Sequence, residues 1–172
     1  MTKKITLFWL AIVYLTLSSW PIAQAADETE SLGIFKDWSA AAYVDGDRSG
    51  CYIVSKPKSE KGDYTRRGNV YALVSLSSSV RSGIISLAAG YPFREESEVN
   101  VDIDGKVYTL LTNDETAWAY QGEDSLFIER MKNGKRMVVI GFSKRGTKTT
   151  DTYSLFGFTL AYQAILDHPR CK

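Results

Sequence analysis

VNVDIDGKVYTL, residues 99–110, is the stretch that decides the fold. Val99, Val101 and Ile103 alternate with polar residues, so that one face of the segment is apolar, as in a half-buried β-strand. Asp104-Gly105 then suits a type I′ turn, in which both central residues take positive φ. The stretch therefore predicts a hairpin of two antiparallel β-strands.

Short apolar runs with the character of β-strands lie on both sides of this hairpin. They are separated by turn-rich or charged segments rather than by long helices. The candidate strands are residues 34–44, 51–55, 69–76, 83–88, 116–120, 136–143 and 150–155, and residues 56–67 form a charged loop. Many short strands with few helices predict an antiparallel β-sandwich, either all-β or β-rich α+β.

Two segments change to helical spacing. In residues 124–133 the apolar side chains recur every three to four positions, with Asp124 placed as the N-cap and Gly134 as the glycine that follows the last turn. Residues 158–167 present an apolar helical face and stop before Pro169. We therefore expect one or two short helices, the last near the C-terminus.

The N-terminus has the parts of a secretory signal peptide in their usual order. Two lysines precede an apolar run over residues 5–20, and Ala23-Gln24-Ala25 supplies the small residues of a cleavage site. The run is of borderline length, slightly short of the roughly 20 residues that span a bilayer. The cleavage-like Ala23-Gln24-Ala25 and the acidic residues directly after it favour cleavage, with a retained anchor as the alternative. The predicted organisation is a signal peptide (1–25), a flexible leader (26–33) and a single β-sandwich domain (34–172), exported to the periplasm, the outer surface or the medium.

The near-neutral charge balance of the chain argues against nucleic acid or an anionic membrane as the partner. The chain has 21 Lys and Arg against 20 Asp and Glu, and two of the basic residues, Lys3 and Lys4, lie within the predicted signal peptide. A dedicated binder of nucleic acid or of an anionic membrane needs a clear basic excess. We therefore expect neither nucleic acid nor a membrane span after cleavage.

Cys51 and Cys171 are the only cysteines. An even count in an exported protein favours a disulfide bond, which would tie an early strand to the end of the chain. A redox pair usually lies close in sequence, as in C-x-x-C. A zinc site needs more ligands than two cysteines and the single histidine, His168, readily supply. A structural disulfide is the prediction.

The sequence positions of the residues that could act in catalysis or bind a metal do not favour either role. His168, the only possible base of a Ser-His-Asp triad, lies between Asp167 and Pro169 at the end of the last helix, and no G-x-S-x-G motif is present. Asp45-Gly46-Asp47 lacks the rest of a calcium loop. The adjacent acids Glu95-Glu96, Asp114-Glu115 and Glu123-Asp124 neighbour turn residues, as exposed loop acids do. We expect no catalytic residue, metal or cofactor.

One loop is the candidate partner-binding element. Lys144, Arg145, Thr147 and Lys148 place three cations and a hydroxyl within five positions. The structural alternative is a solvated hairpin tip; the functional one is a contact with an acidic partner such as a polysaccharide or phosphate groups. A second basic patch is predicted from Lys56, Lys58, Lys61, Arg66 and Arg67.

Motifs along most of residues 26–172 resemble one family. They are Trp38, residues 51–58, Arg67-Gly68, residues 90–93, Ile103-Asp104-Gly105, Ala117-Trp118-Ala119, Met131-Lys132, residues 141–147 and 149–155, Gly157-Phe158, Ala161 and Cys171. In this order they resemble the invasion-associated locus B family, exported proteins of alphaproteobacteria. This chain is similar to the two-cysteine type, whereas other members carry a second pair.

The resemblance implies a β-sandwich protein of the periplasm or outer surface, linked in some pathogens to virulence through entry into host cells. It implies no catalytic residues. We therefore expect a non-enzymatic envelope or surface protein whose partner is an envelope component or a host-cell surface, protein or glycan. The alternatives are a periplasmic ligand-binding or inhibitor module and an uncharacterised hydrolase.

Overall fold

A computed structural model describes residues 28–77 and 80–171 of the chain. The predicted signal peptide lies outside the described residues. The strands are β1 (Glu28–Phe35), β2 (Trp38–Asp45), β3 (Arg48–Ser55), β4 (Ser59–Gly62), β5 (Tyr71–Ser77), β6 (Val80–Ala88), β7 (Glu98–Ile103), β8 (Lys106–Asn113), β9 (Thr116–Trp118), β10 (Arg136–Phe142) and β11 (Lys148–Ser154). The helices are α1 (Asp124–Asn133) and α2 (Phe158–Asp167), followed by a 3₁₀ turn at Pro169–Cys171.

All eleven strands belong to one antiparallel sheet. Their order across the sheet is β1-β2-β3-β5-β6-β9-β8-β7-β10-β11-β4. The predicted hairpin is confirmed: β7 pairs with β8 up to Ile103 opposite Lys106, and Asp104 and Gly105 both have positive φ, 49° and 90°. The predicted β-rich α+β class with two short helices is therefore confirmed.

The strands form one open sheet and not the two packed sheets of the predicted sandwich. This sheet curls, so that strands far apart in its order meet around a core. The indole Nε1 of Trp38 on β2 donates a hydrogen bond of 3.0 Å to the Ser154 carbonyl on β11. Trp38 also packs edge-on against Phe158 of α2, with ring centroids 4.9 Å apart. Helix α2 therefore covers the core between the two ends of the sheet.

The predicted leader over residues 26–33 differs in the structure. Residues 28–33 lie within β1, which pairs with β2 from Glu28 opposite Val44 to Phe35 opposite Trp38. The predicted strand over residues 34–44 is divided by a turn at Lys36-Asp37, where Lys36 has a φ of 56°. An edge strand is stabilised by its main-chain hydrogen bonds and by one packed neighbour, so its sequence need not be apolar.

The charged segment over residues 56–67 also contains β4, a second edge strand. It pairs with β11, from Ser59 opposite Thr152 to Gly62 opposite Thr149. Charged residues on a short edge strand discourage pairing with another chain. Both ends of the sheet are thus polar strands that hydrophobic periodicity did not reveal.

Helix α1 has the predicted bounds but different ends. Glu123, rather than Asp124, occupies the N-cap, and the Asp124 carboxylate instead accepts a hydrogen bond of 2.9 Å from the Ile85 N–H of β6. Gly134 has a φ of −90°, so it is not a left-handed cap. A Cβ there would lie 2.7 Å from Leu155 Cδ1 and 2.8 Å from Ile103 Cγ2, and this close approach explains the glycine.

Candidate partner-binding cleft

A cleft of about 780 Å³ opens where three loops converge at one end of the sheet. The loops precede β5, follow β6 and connect β10 to β11. The lining residues are Asp63, Tyr64, Thr65, Arg66, Arg67, Gly68, Gly90, Tyr91, Pro92, Glu115, Ser143, Lys144, Arg145, Thr147 and Thr149. The cleft thus joins part of the second basic patch to the predicted partner-binding loop.

The base of the cleft is held by a buried ion pair. Arg67 donates two hydrogen bonds of 2.6 Å to the two carboxylate oxygens of Asp151, and its Nε donates a third, also 2.6 Å, to the Ala89 carbonyl. The side chains of Arg67 and Asp151 are only 3% and 4% exposed. Burial on its own would lower the pKa of Arg67, but the hydrogen bonds and charge of Asp151 outweigh it and raise that pKa.

Two tyrosine rings enclose the Arg67 guanidinium. Its central carbon lies 5.0 Å from the ring centroid of Tyr91 and 5.5 Å from that of Tyr64, within cation–π range. The Tyr91 hydroxyl lies 2.5 Å from Thr149 Oγ1 on β11, and burial raises the pKa of Tyr91. These contacts fix an aromatic wall of the cleft in place.

The first two loops are joined through glycine. Gly68 N–H donates a hydrogen bond of 2.8 Å to the Gly90 carbonyl. Gly90 has a φ of 69°, and a Cβ there would lie 2.6 Å from the Gly68 carbonyl oxygen. Only glycine accepts this backbone conformation and this approach without strain. The pair therefore sets the spacing of the loops.

The third loop is a tight turn tied to the second. Ser143 N–H donates to the Thr147 carbonyl at 2.9 Å, and Thr147 N–H donates back to Ser143 Oγ at 3.1 Å. Lys144 N–H donates to the Pro92 carbonyl at 2.8 Å. The loop therefore presents its side chains from a defined backbone.

The predicted loop residues divide in two groups. Lys144, Arg145 and Thr147 line the cleft, whereas Lys148 begins β11 and is not among the lining residues. Lys144 Nζ lies 3.1 Å from the exposed Glu95 carboxylate. Arg66 and Arg145 are exposed and form no ion pair within residues 28–77 and 80–171. These two arginines are the cations most available to a ligand.

The residues of the second predicted basic patch do not all lie together in the structure. Lys58 forms an ion pair with Asp37, and Lys56 and Lys61 are not among the residues that line the cleft. The hydrogen bond from Lys58, assisted by a second from Ser154, lowers the pKa of Asp37. Arg66 and Arg67 are the members that reach the cleft, and Arg67 is occupied by Asp151.

The remaining candidates lie elsewhere. Cys51 and Cys171 are paired, with their Cα atoms 5.8 Å apart, within the range for a disulfide. His168 lies beside these sulfurs and not in the cleft. In the acidic turn that resembled part of a calcium loop, the Asp45 carboxylate forms an ion pair with Arg48.

Sequence reasoning missed Asp151, Tyr64 and Tyr91 as parts of a site. Asp151 lies on a strand in which inward-facing and outward-facing positions alternate. The other residues of that strand do not indicate that this acid points into the core. A signal was nevertheless present, since Arg67-Gly68, Gly90-Tyr91 and Asp151 all fall within motifs that carry the family resemblance. The structure brings these motifs together at the cleft.

The fold and the cleft define the general class: a β-rich protein built on one curled antiparallel sheet, with the turn after its last helix joined to the sheet by a cysteine pair and a cleft with basic side chains between loops. A family model described as "Invasion associated locus B (IalB) protein" matches residues 38–166. The chain belongs to this family.

A solved structure shows the same fold. The invasion associated protein b from Bartonella henselae is similar over 81% of this chain and 94% of that chain, with 14% sequence identity and a TM-score of 0.51. At this identity the likeness establishes the fold alone. No curated protein matches the sequence. Within the described residues, no helix is long and apolar enough to cross a membrane.

Proposed function

We propose that this protein is an exported, non-enzymatic envelope or surface protein that binds an acidic glycan in the cleft between its three loops. The observation that carries the proposal is the convergence of Arg66, Lys144 and Arg145 around one cleft, with two of them free of ion pairs within the described residues. The partner would be a glycan of an envelope component or of a host-cell surface.

The arginines of the cleft, rather than its net charge, favour an anionic group. Asp63 and Glu115 also line the cleft, and Arg67 and Lys144 are paired with Asp151 and Glu95. Arg66 and Arg145, which form no ion pair within the described residues, therefore equal the two lining acids in number. An acidic ligand would meet arginines whose planar guanidinium groups suit carboxylate, sulfate or phosphate. The cations lie on loops over a rigid sheet, which is the usual placement of binding residues.

The rest of the lining supplies groups that suit a sugar. Thr65, Ser143 and Thr147 bring hydroxyl groups, and Tyr64 and Tyr91 bring rings with polar ends. The volume of about 780 Å³ lies within the range of small-ligand sites. A short acidic oligosaccharide would offer both hydroxyls for these donors and acceptors and an anion for the arginines.

Three features support the compartment. The N-terminal sequence has the order of a signal peptide, and the cysteine pair suits an oxidising compartment. Membership of a family named for invasion supports a role at the cell surface.

The test compares matched charge reversals. Binding of the purified protein to heparin, used as a sulfated glycan probe, and to neutral dextran is measured by surface plasmon resonance. We expect R66E/R145E to weaken heparin binding by about tenfold or more. The control R130E/R136E changes the charge equally with two exposed arginines outside the cleft and should bind as the wild type does. Equal loss in both variants, or equal binding to dextran, would contradict the proposal.

A further inference from the structure

The only two cysteines and the only histidine of the chain meet at one point. His168 Nδ1 lies 3.7 Å from Cys51 Sγ and 3.9 Å from Cys171 Sγ. The cysteines are buried, and the His168 side chain is 16% exposed. His168 lies three positions before Cys171 in the sequence, and the pairing of Cys171 with Cys51 brings the imidazole to both sulfurs.

The other ring nitrogen of His168 faces an acid. Its Nε2 lies 3.7 Å from the Glu30 carboxylate of β1, which also lies 3.4 Å from Arg170. A carboxylate near one ring nitrogen favours a proton there and leaves the other nitrogen, Nδ1, as an acceptor. Nδ1 accepts a hydrogen bond of 3.4 Å from the Arg170 N–H, which a metal ion would displace. At 3.7 Å the two atoms are beyond hydrogen-bond distance, and a shortening of this contact would give the carboxylate–histidine arrangement that orients metal-binding histidines.

We propose that, when the Cys51–Cys171 bond is reduced, the two thiolates and His168 Nδ1 bind one thiophilic metal ion, Zn²⁺ or Cu(I). This site is distinct from the cleft and independent of its ligand. Two thiolates and an imidazole are donors that both ions prefer, and for Zn²⁺ a water molecule would complete the four ligands that these three side chains do not supply alone. The oxidised and metal-bound states exclude each other, because the disulfide consumes both thiolates.

The present geometry is already close to that of a site. With metal–sulfur bonds of about 2.3 Å and metal–nitrogen bonds of about 2.0–2.1 Å, ligands at tetrahedral or trigonal angles have sulfur–nitrogen separations of about 3.6–3.8 Å. The observed distances are 3.7 and 3.9 Å. Only the two sulfurs must separate, to about 3.8–4.0 Å, on the same metal–sulfur bond length. Rotation of the cysteine side chains supplies that movement without a change of fold.

Reduction of the disulfide and binding of the metal ion conserve atoms and electrons. A phosphine reductant attacks one sulfur and the S–S bond breaks; water supplies the oxygen that ends on the phosphine and two protons, which leave both cysteines as thiols. A zinc ion then replaces those two protons, which are released to solvent, while neutral His168 donates its lone pair. A phosphine is chosen because a dithiol reductant would itself compete for the metal.

The experiment uses the protein lacking residues 1–25 if the signal is cleaved, and otherwise the full chain. It is reduced with a phosphine under nitrogen, given Zn²⁺ or Cu(I), desalted and examined by native mass spectrometry. We expect one metal ion per reduced chain and none per oxidised chain. H168N and C51S should each lose the ion, and E30Q should weaken binding by about 10–100-fold. E28Q, which changes the neighbouring acid that faces Arg170, is the control and should bind normally.

A second measurement covers the case in which reduction loosens the fold. The thermal midpoint of the reduced protein should rise by about 5–10 °C at a hundredfold excess of metal over its Kd, since the ion binds the folded state. No rise in the reduced wild type, or the same rise in reduced H168N, would overturn the proposal. Binding of neither ion to the reduced chain would also overturn it.

Discussion

The guanidinium of Arg67 and the carboxylate of Asp151 share two hydrogen bonds of 2.6 Å across 84 positions of sequence. Asp151 lies in the middle of β11, and Arg67 lies in the loop before β5. The pair therefore fixes one wall of the cleft to the sheet. It leaves Arg66, the adjacent residue, exposed to solvent and to a ligand.

Removal of one partner should be costly. D151N keeps the size of the side chain but leaves a buried guanidinium without its counter-charge, which typically costs about 3–5 kcal/mol. We expect the free energy of unfolding, measured by urea denaturation, to fall by about that amount. E60Q is the matched control, because Glu60 lies 3.6 Å from Arg67 and is 40% exposed. It should change stability by less than about 1 kcal/mol. Similar losses of unfolding free energy in D151N and E60Q would contradict a special contribution of the buried ion pair to stability.

The glycine contact gives a second comparison. In G90A the new methyl group would lie 2.6 Å from the Gly68 carbonyl oxygen at a φ of 69°, so the two loops must separate. In G46A, with a φ of 57° and no atom within 4 Å, only the left-handed backbone is penalised, by about 1–2 kcal/mol. We expect G90A to be less stable than G46A and to weaken glycan binding, whereas G46A should bind normally. Equal stability of the two variants in thermal unfolding would contradict this account of the loops.

Acid should remove the contribution of Asp37. Lys58 and Ser154 lower its pKa in the folded protein, so this contribution is complete above the unfolded value of about 3.9 and is lost as pH falls through the lower folded value. K58M should therefore destabilise the protein slightly at pH 7, by less than about 1 kcal/mol because Lys58 is largely exposed. The difference from wild type should shrink as pH falls below about 4. A difference that stays constant in urea denaturation from pH 7 to 2 would contradict the ion pair.

The bond between Cys51 and Cys171 should stabilise the folded protein. The bond encloses a loop of 120 positions, and such bonds contribute about 2–4 kcal/mol. We expect C51S, C171S and C51S/C171S to lose similar stability in thermal unfolding without added metal, and a reductant to lower the melting temperature of the wild type alone. Additive losses in the double variant would indicate that each sulfur acts through its own packing instead.

Much of the fold could be predicted because its central strands follow local rules. The Asp104-Gly105 turn, the alternation on β7 and the apolar face of α2 each determine their own structure. The edge strands β1 and β4 could not be predicted in this way. Their sequences are polar, and their structure depends on hydrogen bonds to β2 and β11, which are partners distant from any local pattern.

The candidate site could be predicted only in part. Lys144 and Arg145 stood out because three cations lie close in sequence. The pairing of Arg67 with Asp151 depends on how the sheet curls, which no spacing in the sequence encodes. The same curl brings Arg66 of one predicted basic patch and Lys144 of the other to one cleft. Lys58 instead forms an ion pair with Asp37.

Amide chemical-shift mapping tests the central claim most directly. A sulfated oligosaccharide is titrated into ¹⁵N-labelled protein, and the shifts are assigned along the chain. The account predicts that the largest changes fall in residues 63–68, 90–92 and 143–149 and disappear in R66E/R145E. Changes confined to other surfaces, or identical changes in that variant, would contradict it.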